Sequence, residues 1–129
     1  MDEIEFTMTK HYKITKDRIF DLLTCAFEGG SNYWYCINKY VYPEGKTRKD
    51  YEFPYLQLPL DPDGGVLIDS FEDKEHSGKL LTLNRIGKGL RIMAEKEQQH
   101  FEDFINENED AVTGDVFLQL CLFEEVIYG

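Results

Sequence analysis

Basic residues are missing from the last quarter of this chain. Residues 97–129 hold nine Asp or Glu and no Lys or Arg, within a chain of 129 residues that carries 14 basic and 25 acidic side chains, net charge −11. A surface of that sign repels phosphates, so direct nucleic-acid binding through it is not expected. Glu97, Glu102, Asp103, Glu107, Glu109 and Asp110 instead make a candidate acidic surface for a protein partner with basic residues. Long apolar runs are also missing. No stretch approaches the ~20 residues of a membrane span, and the opening "MDEIEFTMTK" has no apolar signal core. A cytoplasmic protein with no membrane partner is expected. Cysteine is sparse: Cys25, Cys36 and Cys121 are odd in number, widely spaced and form no C-x-x-C pair. That argues against a disulfide framework and a zinc site, and for buried reduced thiols.

Catalytic and metal signatures fail on their own chemistry. "DPDGGVLIDSFE" puts Asp61, Asp63, Asp69 and Glu72 at calcium-loop spacing. Val66 occupies the place where such a loop needs glycine for its sharp turn, and Pro59 and Pro62 oppose a helix leading in. An acidic turn followed by a strand is the better account. Glu97 and His100 form one Glu-x-x-His step, but a carboxylate di-metal site needs a second. "SGKLLT" lacks the first glycine and the Ser/Thr of a phosphate loop. His11, His76 and His100 are dispersed, and no nucleophile–base pair is legible. No metal and no cofactor are assigned, and nothing in the pattern argues for an enzyme.

The remaining patterns describe one α+β domain over residues 1–129. An antiparallel sheet of about four to five short strands is expected to pack against three helices. Ile4, Phe6, Met8, Tyr12 and Ile14 alternate with polar residues as in a half-buried strand. Thr15 reads as an N-cap with Ile14 and Ile19 as a staple. The helix that follows should stop at Glu28, with Gly29 in the left-handed conformation. Tyr33–Tyr42 favours strand, "YLQLPL" a short edge strand, and "VLIDSFE" and "KLLTL" a hairpin. One helix is expected from about Asn84 to Glu107, with Gly87 and Gly89 packing its start against a sheet. The last segment, "DAVTGDVFLQLCLFEEVIYG", fits strand and helix spacing. Helix is preferred, with Thr113 as N-cap and Val112 stapled to Phe117.

Two polar features sit in apolar surroundings. The first is Gly29, Gly30, Ser31 and Asn32 beside Tyr33, Trp34 and Tyr35, where aromatics next to free backbone donors offer a surface for a ring or peptide. The second is Asp115 and Gln119, one helical turn apart in an apolar segment, where a buried carboxylate must be paired. These nine residues are the candidate ligand- or partner-binding set. Three readings follow: a non-catalytic interaction protein, a binder that sequesters a nucleotide-like ligand with Arg91 or Lys88 supplying charge, and an enzyme with carboxylate chemistry at Asp115. A homo-oligomer is compatible with all three.

"EGGSNYWY" after an apolar helix, together with "GDVFLQLCLFEEVIYG", resembles a group of short uncharacterised phage- and prophage-encoded proteins. Gly29, Gly30, Tyr33, Trp34, Asp115, Gln119, Tyr128 and Gly129 carry the resemblance. Glu124 stands where that group is expected to have a glycine, which implies a different terminal turn. The resemblance implies phage or prophage origin, and hence a host protein as partner, but no activity. On that reading the protein is an accessory factor that modulates or inhibits a host protein, for instance in counter-defence.

Overall fold

The computed structural model describes residues 2–129. Its organising element is the last helix. Helix α5, Ala111–Phe123, buries every residue from Thr113 to Leu122. A helix covered on all sides has no polar stripe, so its sequence shows no helical periodicity. That is why helix and strand spacing fitted it equally well. Its N-cap is Asp110, whose carboxylate accepts from the Thr113 amide at 2.9 Å and the Thr113 hydroxyl at 3.1 Å. Thr113 is therefore not the cap, and Val112, 59% exposed, makes no staple. At the other end Arg85 donates to the Leu122 carbonyl at 3.0 Å, a cation placed on the negative pole of the helix.

Around α5 pack α1 (Lys16–Cys25), α3 (Leu83–Lys96) and α4 (Gln98–Ile105), with the short α2 (Pro54–Gln57) against α1. The sheet has order β1-β2-β3, with β1 Tyr35–Val41, β2 Gly65–Ser70 and β3 Lys79–Leu81. Both pairings are antiparallel, Tyr35 opposite Ser70 and Val66 opposite Leu81, and the register shifts between Ile37 and Lys39. Val66, Ile68 and Leu81 turn one face of the sheet into the core.

The α+β class and the β2–β3 hairpin follow the sequence, but among the described residues the sheet has three strands rather than four to five, and there are five α-helices rather than three. The alternating segment from Ile4 to Ile14 pairs with no strand. "YLQLPL" forms α2 and a 3-10 turn, Leu58–Leu60. Pro54 sits at the start of α2, where its missing N–H costs nothing, and Leu56, Leu58 and Leu60 are buried. The helix expected over 84–107 breaks at Glu97 (φ −129°, ψ 58°) into α3 and α4. No proline or glycine marks the break; the turn lets Phe101 and Phe104 reach the core. Gly89 packs against Cys121 of α5, not against a sheet.

Helix α1 starts as expected, capped by Thr15, whose hydroxyl oxygen accepts from the Arg18 amide. It ends earlier, at Cys25, and a π-turn over Ala26–Gly30 replaces the left-handed stop at Gly29. The physical reason lies at Gly30. A methyl there would collide with the carbonyl oxygen of Ala111, so the absent side chain lets the turn close onto the start of α5. The cysteines are all unpaired, with Cys121 fully buried and Cys25 and Cys36 partly so. Burial pushes the Cys121 thiol well above its ordinary pKa, which keeps it protonated.

Candidate functional site

The π-turn and α5 bring the two polar features of the sequence together. Asp115 accepts three hydrogen bonds. Ser31 Oγ donates to Oδ1 at 2.8 Å, Trp34 Nε1 donates to Oδ1 at 2.7 Å, and Tyr33 OH donates to Oδ2 at 2.6 Å. Ser31 and Trp34 have no exposed surface, and Asp115 is 8% exposed. A buried carboxylate is tolerated on this condition, since each charge-assisted bond contributes about 1.5–3 kcal/mol. Tyr33 is half out in solvent. Desolvation, with the bond to Asp115 second, pushes its pKa up to about 12.

One turn along α5, Gln119 grips the chain terminus. Its Oε1 accepts from the amides of Ile127 at 2.7 Å and Tyr128 at 2.8 Å, and its Nε2 donates to the Tyr128 carbonyl at 3.2 Å. The tail thus gains the backbone partners a strand would have given it. Tyr128 then stacks on Trp34 with ring centroids 5.3 Å apart, and Phe123 covers the indole from 5.4 Å. The Tyr128 hydroxyl donates to Asp73 Oδ2 at 2.9 Å and lies 2.7 Å from Ser70 Oγ. Asp73 also bonds the His76 amide and ring nitrogen, both at 2.8 Å. Despite its own desolvation, these donors hold the Asp73 carboxyl below its usual range. The network therefore links the π-turn, α5, the tail and the tip of the β2–β3 hairpin. Among the described residues no buried side-chain nitrogen or oxygen lacks a partner.

Of the nine candidate residues, Ser31, Tyr33, Trp34, Asp115 and Gln119 meet in this cluster. Gly30 permits it by its close approach, and Tyr35 bonds the Phe27 carbonyl instead. Gly29 and Asn32 lie at the surface beside it. Trp34 presents no ring face on which a ligand could stack, and the Asp115 oxygens are occupied by donors. The surrounding Ser70, Asp73 and His76 had no signal of their own; the hairpin turn brings them there. Two surface grooves lie outside the Asp115 cluster, the second bordering it at His76 and Phe123. One of about 1270 Å³ runs between residues 8–14 and helices α3 and α4, and one of about 420 Å³ lies between the hairpin tip and residues 122–127.

The acidic candidates divide. Glu109 is not free: Arg18 donates to both its oxygens, at 2.6 and 2.9 Å, and its side chain is only 10% exposed. That pairing holds its carboxyl below the usual range. Asp110 caps α5. Glu102 and Glu107 are exposed and Glu97 and Asp103 partly so, on and around α4. The acidic turn reads as expected, with Asp61 Oδ1 accepting from the Asp63 amide before β2. Among the described residues, no group of three His, Cys, Asp or Glu could hold a metal ion, and no helix is long and apolar enough to cross a membrane. No protein-family model, curated protein or solved structure matches the chain.

Proposed function

We propose that this chain is a phage- or prophage-derived accessory protein that acts without catalysis, by binding and modulating a host protein that presents a basic surface. The observation that carries the reading is the fate of the one concentrated polar cluster: Asp115, Gln119, Ser31 and Trp34 are spent on holding the π-turn and the tail to α5. What faces outward is charge. Glu95, Glu97, Glu102, Asp103 and Glu107 lie on the end of α3 and around α4, a segment with Lys96 as its one basic residue. Such a surface steers a basic partner and sets specificity more than affinity. The viral origin is supported by the resemblance of the π-turn and tail segments.

The test is affinity capture from a bacterial host lysate, followed by titration of the purified captured protein at increasing salt. The reading expects steep weakening with salt. It also expects a loss of at least about tenfold on combining Glu97→Lys, Glu102→Lys and Asp103→Lys. Binding that ignores both salt and this triple change would overturn it.

A further inference from the structure

The alternating segment at the N-terminus has the pattern of a strand and no strand to pair with. Ile4, Phe6 and Met8 are 90%, 74% and 67% exposed, and Glu3, Glu5 and Thr7 stand between them. Farther along, Tyr12 meets Phe101 edge-on at 5.0 Å and Ile14 packs on the core. The segment passes Leu90 and Arg91 of α3. Three large apolar side chains in one exposed row are a surface that a soluble chain normally covers.

The sheet carries the matching deficit. β1 is an edge strand, with β2 on one side and, among the described residues, no strand on the other. Tyr35, Ile37 and Tyr40 lie opposite Ser70, Ile68 and Val66, so they share the core-facing side, yet they are only partly buried. Lys39 is exposed on the opposite side. An edge lysine and a bulge discourage indiscriminate strand pairing.

We propose that the segment from Glu3 to Thr9 of one copy adds to the free edge of β1 in a second copy, as an antiparallel fourth strand, reciprocally in a two-fold dimer. Three observations fix the occupant and its direction. Glu3–Thr9 is long enough to span β1, which has seven residues. When Ile4, Phe6 and Met8 continue the row of Tyr35, Ile37 and Tyr40, the alternation puts Glu3 and Glu5 on the side of Lys39. Antiparallel pairing continues a sheet whose two pairings are both antiparallel, and it brings the basic end of the segment, Lys10 and Lys13, toward Glu72. Parallel pairing would instead bring the acidic start of the segment toward Glu72. Two-fold symmetry makes each contact twice. The proposal is independent of the acidic face around α4.

The test is sedimentation equilibrium of the full chain over a concentration series, with amide hydrogen exchange on residues 3–9. The expected result is a mass approaching twice 15.1 kDa and protection of those amides only in the dimer. Phe6→Glu, at a position already exposed, should raise the dimer Kd on the order of 100-fold and leave the circular dichroism of the monomer unchanged. Lys39→Glu should weaken the dimer roughly tenfold, and adding Glu5→Lys should restore it. A monomer at millimolar concentration, a dimer indifferent to Phe6→Glu, or unprotected amides in the dimer would each overturn the proposal.

Discussion

Helix α5 and the N-terminal segment invert each other. In α5 a carboxylate and an amide are buried among apolar side chains. In the segment from Ile4 to Met8 large apolar side chains stand in solvent. Composition alone would put each in the other's place. The difference is what each has to bond with. Asp115 and Gln119 find donors and acceptors for their polar atoms within the chain, so burying them is affordable. Residues 3–9 find no backbone partner for a strand, so their apolar row has nothing to close against.

Removing partners from the buried side breaks the comparison most. Asp115→Ala orphans the buried Ser31 hydroxyl and Trp34 indole N–H. A loss of about 3–5 kcal/mol in urea unfolding is expected. Gln119→Leu is smaller, about 2 kcal/mol, because the Tyr128 ring still stacks on Trp34. Its sharper signature is rapid amide exchange at Ile127 and Tyr128.

The Arg18–Glu109 pair tests charge burial by pH. The Glu109 carboxyl lies below its usual range when folded. Its contribution is therefore complete above the unfolded value of about 4.3 and is lost as pH falls through the folded value. Glu109→Gln should flatten the acid limb of a stability–pH profile and leave its alkaline limb in place.

Two changes probe strain and exposure with smaller effects. Glu124 ends α5 at φ 62°, the left-handed conformation a glycine takes freely, so the turn expected to differ keeps a glycine's backbone. Glu124→Gly should raise stability by up to about 1 kcal/mol by thermal unfolding, since its contact with Lys88 is long at 3.8 Å and exposed. Phe6→Ser should change the stability of the monomer by less than about 0.5 kcal/mol, although phenylalanine is replaced.

Elements with local signals were legible. Thr15 announced α1, the turn residues around Gly64 and Gly78 announced the hairpin, and the preference for helix in α5 held. Elements decided by distant partners were not. The alternation of Ile4 to Ile14 states which faces a strand would have, not whether an edge is there to receive it. The break at Glu97 is set by where Phe101 and Phe104 must go, and no residue marks it. Ser31, Asp115 and Gln119 stand out in the sequence as polar residues among apolar ones, but what they bond to is not legible there. Ser31 and Trp34 lie 84 and 81 residues from Asp115, and nothing between them encodes the contact.

Trp34 is the only tryptophan, so its fluorescence reports the cluster alone. The central claim is that this cluster locks the fold and is closed to ligands. Acrylamide quenching of the native protein tests it most directly, repeated with nucleotides as quenchers. The account predicts blue-shifted emission and negligible quenching by either until the chain unfolds. Quenching of the native state close to that of a free indole, or saturable quenching by a nucleotide, would contradict it.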